Sequence, residues 1–341
     1  MQLVKPSVTV ITEPDNAKRI EMAGRTCYAS HDKITPTSAE QFVQNLIDRG
    51  HESVLEHSNI IVKANKPESV LWLERLIEEY TRTTARPHFI RHKYGSEDTY
   101  ARGLDRAKHR CATCGAASEV SPDVYVGGEP YFSGNVRAWR SICNVFRNER
   151  IFSLLFYGHP FFLDIPLSDV ALLTDWDDLY CDVDIVSSAP GDHHNIVTAR
   201  IVCDRAISHE LVRHRLQSFS QTSTRYVKYD DNMEFVEPWW FDGDGAYDHY
   251  DLLRCRNVFI DHCKRSCDAY REFVQTGMPA QMARAVLPNA LKTEVVVTST
   301  VAEWRAWLRL RDDPAAHPDM RRVAALFKEA TRITKVHNSL V

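Results

Sequence analysis

The sequence has no run approaching the roughly 20 consecutive apolar residues of a membrane-spanning helix, and its opening, MQLVKPSVTVITEPDN, lacks the basic-then-apolar order of a secretion signal. Both absences lead us to expect a cytoplasmic chain without a membrane partner. Glycine is thin, 13 in 341 residues with no G-x-G-x-x-G string, which argues against a Rossmann mode of dinucleotide binding. Net charge is also missing: 42 basic and 46 acidic side chains leave −4, so no global field recruits nucleic acid. Any anion site must then be a local cluster of arginine. The nine cysteines form an odd, scattered set, which favours reduced thiols over a disulfide framework. What remains, 44% hydrophobic and 26% charged, excludes disorder, collagen and coiled coil.

Periodicity predicts a short strand over 8–11 and a helix over 15–25. Ser38 reads as an N-cap for a helix carrying Phe42, Val43, Leu46 and Ile47 and stopped by Gly50. The segment HESVLEH, 51–57, is polar and precedes a strand near 59–62. A further helix is predicted over 67–80, with proline in its first turn. From 86 to 194 the pattern loosens, with an apolar run at 151–162 and an acidic stretch at 164–184. Residues 65–194 are therefore read as an insertion packed on a domain made of 1–64 and 195–341. A strand over 195–203 leads through Asp204, a cap, into a helix reaching Val212. Later helices are predicted over 250–276, 279–286, 301–310 and 318–336. Helices outnumber interspersed strands, so the fold class is α+β, or mixed α/β.

The chemistry is concentrated in ELVRHRLQSFSQTSTRY, 210–226, where Arg213, Arg215 and Arg225 stand with His214, Ser218, Gln221, Ser223, Thr224 and Tyr226. A guanidinium is planar, always charged and offers paired donors, which suits it to bidentate phosphate recognition. Three of them among hydroxyl and amide donors are what a nucleotide phosphate selects. A solvated basic face is the plain alternative, and Arg91-His92-Lys93 is such a triplet without the Ser and Gln frame. His109, Cys111 and Cys114 offer three ligands where a zinc site takes four, and no second C-x-x-C accompanies them. Cys263 and Cys267 are spaced for one helix face, and His193-His194 reads as a loop pair before a strand. No metal is expected.

The spaced string R-H-R-x-x-S-x-x-x-x-S-x-R-Y at 213–226 resembles the signature of flavin-dependent thymidylate synthases, which methylate deoxyuridylate with reduced FAD. Three other strings agree in type and order: Arg25-Thr26-Cys27-Tyr28, the HESVLEH segment, and Ala283-Arg284-Ala285-Val286-Leu287-Pro288-Asn289. The likeness covers roughly 1–64 and 195–335. It implies that Arg213, His214 and Arg215 hold FAD with His51, Ser53 and Glu56. It also implies that Glu210, Gln221, Ser223, Thr224 and Arg225 hold the nucleotide, the last three around its phosphate, with Arg284 joining from another subunit. Arg311 would face the uracil and favour its ionised N3, the role nearest to a catalytic one. Methylenetetrahydrofolate as carbon donor, NADPH as reductant, dUMP as substrate and a homotetramer with shared sites are likewise implied.

This chain departs from that pattern at Thr300, Ala302 and Ala306, where flavin-facing side chains would stand. A partial echo, Ser133-Gly134-Asn135-Val136-Arg137-Ala138-Trp139, could return the missing Asn and Arg from inside the insertion. A Trp-anchored helix start is its plain reading. The chemistry itself favours Arg311: uracil C5 is a weak nucleophile, so methylation needs a thiolate at C6 or a stabilised N3 anion, and only Cys27 falls within the matched strings. Ser223, with no His-Asp pair beside it in sequence, is read as a phosphate ligand. Two other readings remain: the same methylation on UMP, and a uridylate-binding protein without catalysis.

Overall fold

The computed structural model describes residues 1–66, 130–146, 182–189, 192–229, 232–242 and 251–333, the backbone of Ile90–Tyr94, and six helical positions between 69 and 77. In chain order the elements are β1 (Gln2–Val4), β2 (Ser7–Ile11), α1 (Asn16–Cys27), α2 (Ala39–Asp48), β3 (Ile60–Ala64), β4 (Ile90–Tyr94), β5 (Pro130–Gly134), α3 (Val136–Phe146) and β6 (Val183–Val186). They continue with β7 (Ile196–Asp204), α4 (Arg205–Leu211), β8 (Ser218–Gln221), β9 (Glu234–Val236), α5 (Leu252–Gln275), α6 (Ala280–Ala283), β10 (Lys292–Thr300), α7 (Val301–Arg311) and α8 (Pro318–Ile333). The class is mixed α and β with antiparallel strand pairs. Two compact units divide the chain: Met1–Pro14, Met22–Ile34 and Val197–Val341 form one, Asp15–Glu21 and Thr35–Ile196 the other.

The first unit is built on a sheet of order β2-β7-β10-β8, with β2 antiparallel to β7 and β8 antiparallel to β10. Val295, Val296 and Val297 of β10 are fully buried, the environment in which branched side chains favour a strand. Sheet residues Val197, Ala199, Ile201, Val295 and Val297 share one core with Ile207 and Leu211 of α4, Trp304 and Trp307 of α7, and Phe327 of α8. Trp304 stacks on Phe327 with centroids 4.1 Å apart, and its indole N–H donates to the Val197 carbonyl at 2.9 Å, so a large apolar body is buried with its one donor satisfied. Asp204 caps α4 as the sequence predicts, accepting from the Ile207 N–H at 2.7 Å. Thr300 caps α7 by accepting from the Glu303 N–H. A smaller core joins Met233 and Phe235 to Cys263, Cys267 and Tyr270 on α5, with both cysteines buried on one helix face.

The second unit holds an antiparallel sheet of order β4-β5-β3-β6. Val136, Ala138, Trp139, Ile142 and Cys143 are buried along α3, and the Trp139 indole donates to the Ile60 carbonyl at 3.2 Å, tying helix to sheet. Asn135 is the helix cap, its Oδ1 accepting from the Ala138 N–H at 2.8 Å. Ser38 departs from expectation. It precedes α2 with helical dihedrals and makes no capping bond, because its hydroxyl donates to Glu21 at 2.9 Å and accepts from the Thr35 N–H. The polar segment after α2 is a 3-10 turn, Glu52–His57, with Val54, Leu55 and His57 buried. His194 is buried too, its Nδ1 2.8 Å from the Ser133 hydroxyl.

His109, Cys111, Cys114, the run 151–162 and most of 164–184 lie outside the described residues. Among the described residues, no group of three or more His, Cys, Asp or Glu could hold a metal ion, and no helix is long and apolar enough to cross a membrane.

Burial holds the His57 imidazole neutral, lowering its pKa to about 3, with the Arg19 charge a smaller cause. A folded-state pKa below the unfolded value of 6.5 means the unfolded chain binds the extra proton, so this contribution is complete above pH 6.5 and lost as pH falls. Between pH 7 and pH 5 it should decline by about 2 kcal/mol, at about 1.4 kcal/mol per unit. Urea unfolding at the two pH values checks this, and His57→Gln should flatten the difference.

Candidate functional site

Ile207 and Leu211 of α4 share one buried core with Trp304, Trp307 and Leu308 of α7, and the polar ends of the two helices meet at Glu210 and Arg311. Glu210 lies in the last turn of α4, and Arg311 is the last residue of α7. Arg311 Nη2 donates to the Glu210 carbonyl at 3.0 Å, and Nη1 lies 3.5 Å from the Glu210 carboxylate. Arg311 Nε is buried with no hydrogen-bond partner among the described residues. A cation at a helix C-terminus answers both the free carbonyls and the negative end of the dipole.

The chain then turns over Val212–Gln217. Leu216 sits in the left-handed region at φ 67°, and its carbonyl accepts from the Ser299 hydroxyl at 3.1 Å, which holds the strained residue in place. On this turn Arg213 and Arg215 are exposed and His214 is half-buried. Neither guanidinium has a carboxylate partner among the described residues. His214 adds no third charge. Burial first, and the Arg311 charge second, lower its pKa below 6.5, so the imidazole is neutral at pH 7.

The following strand, β8, carries Gln221, whose amide donates to Ser208 Oγ at 2.8 Å and Thr293 Oγ1 at 3.1 Å. Ser208 and Thr293 are thus residues that hold the site without belonging to any recognised string. Beyond β8, the Ser223 N–H donates to the Cys27 carbonyl at 2.9 Å, which joins the Arg25–Tyr28 string to the signature. Thr224 is buried, and its Oγ1 accepts from Arg284 Nη1 at 3.3 Å. Arg284 therefore reaches the Ser223–Arg225 loop within one chain, where the resemblance implies arrival from another subunit. Arg225 is exposed, with its guanidinium 5.4 Å from the centre of the Tyr226 ring.

The HESVLEH segment lies in the second unit. His51 and Ser53 are exposed and precede or open its 3-10 turn. Glu56 is engaged by Arg137 at 2.5 Å, and Glu52 by both Arg140 and, at 3.8 Å, Arg137 Nε. The echo found in the insertion is thus built onto this segment, with Asn135 used as a cap and Arg137 as the partner of Glu56.

Burial pushes the Cys27 thiol pKa above its ordinary value, opposed in part by hydrogen bonds from Ser220 and the Gln221 backbone. A protonated thiol is a poor nucleophile, so the only cysteine in the matched strings is unsuited to attack at C6. Ser223 Oγ accepts from the Arg225 N–H at 3.3 Å and is turned toward its own loop.

Exposed arginines without a carboxylate partner among the described residues, set beside a hydroxyl-rich loop, are an arrangement suited to holding an anion. The family described as Thy1, thymidylate synthase complementing protein, matches residues 9–72 and 189–334, well over half of the chain, and the chain belongs to it. Similar proteins named flavin-dependent thymidylate synthase occur in Geobacter sulfurreducens, at 39% identity over 132 residues (38% of this chain, 52% of that protein), and in Thermococcus kodakarensis, at 35% over 133 residues (39% and 52%). One from Mycobacterium tuberculosis is 33% identical over 132 residues (35% and 50%). The chain spans about half the length of the curated relatives it matches.

The raised Cys27 pKa generates a direct expectation. At neutral pH, iodoacetamide should label exposed Cys255 well before Cys27, as read by peptide mass spectrometry. Faster labelling of Cys27 would reveal the thiolate that its burial disfavours.

Proposed function

We propose that this chain methylates C5 of the uracil of dUMP, with methylenetetrahydrofolate as carbon donor, NADPH as reductant and FAD as cofactor. The observation that carries the reading is the reach of two late arginines to the two ends of the signature: Arg311 to Glu210 beside His214, and Arg284 to Thr224 beside Arg225. The groups present suit both ligands. Arg213 and Arg215 are exposed cations for the cofactor's phosphates, and Arg311 keeps a buried donor, Nε, without a partner.

In this reading Ser223, Thr224, Arg225 and Arg284 hold the nucleotide phosphate through charge-assisted hydrogen bonds. Gln221, held by Ser208 and Thr293, keeps its carbonyl oxygen for the pyrimidine. Glu210 and Arg311 meet the ring, where a permanent cation near N3 lowers the cost of the anion and raises electron density at C5. Neutral His214 with Arg213 and Arg215 serves the flavin, as do His51, Ser53 and Glu56. Arg137 joins them through its ion pair with Glu56. Flavin, when bound, supplies the redox chemistry, and the protein's own work is binding, alignment and exclusion of water. The family portion is 1–64 and 195–341, 65–194 is an insertion, and the functional form is a homotetramer with shared sites.

Tritium release from 5-tritiated dUMP, with flavin, folate and NADPH omitted in turn, tests the reading. Release should require all three and should exceed release from 5-tritiated UMP. A preference for UMP would move the substrate to the ribonucleotide. Uridylate binding with no release from either, and no visible flavin absorbance in pure protein, would leave a binding protein instead. Arg284→Ala should raise the KM for the nucleotide about tenfold to a hundredfold, the worth of one charged hydrogen bond, with less effect on kcat.

A further inference from the structure

We infer that the second unit repeats the sheet-and-helix module on which the first is built, and that the repeat has lost its nucleotide-side groups, so that each chain holds one uridylate rather than two. The count rests on the reading above, in which Gln221 and Arg311 meet the pyrimidine. The repeat rests on the fold alone.

The two sheets follow one plan. The first has the order β2-β7-β10-β8, and the second, read from its other edge, the order β6-β3-β5-β4. Matching β2 with β6, β7 with β3, β10 with β5 and β8 with β4 keeps every neighbour, and the outer pairs are antiparallel in both sheets. The segment read as an insertion thus supplies three of the four strands of the second sheet, β4, β5 and β6. Four strands are a common number, so order by itself is weak support. Register is stronger, because a slip of one residue exchanges the two faces of a strand. One constant shift in numbering carries buried His57 to buried His194, Ile60 to Val197 and Ile61 to Thr198, and a second carries Ser133 to Thr298 and Trp139 to Trp304. Ile61 pairs with Ser133 across β3 and β5, and their counterparts Thr198 and Thr298 meet hydroxyl to hydroxyl at 2.8 Å.

A helix follows directly on the inner strand of each sheet, and both helices start alike. Asn135 accepts from the Ala138 N–H and Thr300 from the Glu303 N–H. Val136 and Val301 are fully buried in the first turn, and Trp139 and Trp304 are fully buried after them. Each indole N–H then donates to the neighbouring strand, Trp139 to the Ile60 carbonyl at 3.2 Å and Trp304 to the Val197 carbonyl at 2.9 Å. These acceptors are the two residues that the first shift equates. An indole has a single donor, and its partner is set by the placement of helix against strand, so burial alone does not produce this match.

The same correspondence shows what the repeat lacks. Tyr94 pairs with Pro130 as Gln221 pairs with Val295, so a tyrosine stands at the glutamine position, and the second shift puts Phe146 at the position of Arg311. In sequence, Ser96-Glu97-Asp98 follows β4 at the spacing at which Ser223-Thr224-Arg225 follows β8. Two carboxylates thus replace the threonine and arginine assigned to the phosphate, and like charge disfavours that ligand. No permanent cation is left at the ring position either.

The test uses the full-length protein loaded with FAD. Equilibrium dialysis against radiolabelled dUMP should saturate at one nucleotide per chain. Arg225→Ala should weaken that single class of site by about tenfold to a hundredfold and leave no unaffected equivalent behind. Two equivalents per chain, or one whose affinity Arg225→Ala does not change, would put a working site in the repeat and overturn the inference. The repeat is tested without ligand by exchange of the indole N–H groups in D2O, with the two signals assigned from Trp139→Phe and Trp304→Phe. Both should exchange on the order of a hundredfold or more slower than free tryptophan. Fast exchange at Trp139 beside protection at Trp304 would remove the shared clamp and overturn the repeat. Wild-type protein that binds no dUMP would instead sink the proposed function and the count with it, while the exchange result would still decide the repeat.

Discussion

The charged groups of the first unit are placed by an uncharged core, in which Ile207 and Leu211 of α4 are buried together with Trp304, Trp307 and Leu308 of α7. A seven-residue helix has little stability of its own, since nucleation costs more than two turns of hydrogen bonds return. Its position is fixed by that burial and by the Asp204 cap at its start. The dependence is sharp because each residue advances a helix by about 100°, so a slip of one position would carry Glu210 away from Arg311 and redirect the whole Arg213–Arg215 turn. Apolar packing here specifies the geometry of a polar site.

Carboxylates are then distributed unevenly. Glu294 is shared between Lys292 and, more distantly, Arg200, Glu234 holds Lys292, and Glu52 and Glu56 hold Arg140 and Arg137 in the second unit. Arg213, Arg215 and Arg225 have no acidic partner among the described residues. In a chain of net charge −4 this selective pairing, rather than composition, creates a positive surface. Arg311 occupies the intermediate case, paired but with one donor left over.

Much of this was legible in the sequence where a local rule applied. Asp204 announces α4 because a cap acts over three residues, and the signature from Arg213 to Tyr226 is local by construction. The strand β10 was not legible. It is buried on both faces, so the polar-apolar alternation that marks a strand is absent from KTEVVVTST. Strands β8 and β9, of four and three residues, are too short to show a period. Ser38 misleads for a different reason: the rule for caps knows only the neighbouring N–H groups, and Glu21, 17 residues away, takes the hydroxyl. The same limit hides the supports of Gln221, because Ser208 and Thr293 stand 13 and 72 residues from it. Long-range partners decide those side chains, and only the folded chain brings them together.

The choice of arginine over histidine or cysteine at this site has a consequence for its electrostatics. A guanidinium stays charged across the whole physiological range, whereas Cys27 and His214, which stand in or beside the matched strings, are both held uncharged, chiefly by burial. The charge that Arg213, Arg215 and Arg225 present is therefore permanent, and neither Cys27 nor His214 adds to it at pH 7. A nucleophilic thiolate or an imidazolium would have tied binding and chemistry to the same titration. By keeping permanent charges at the loop and turn and neutral groups beside them, the fold makes the attraction of this face for an anion a matter of geometry.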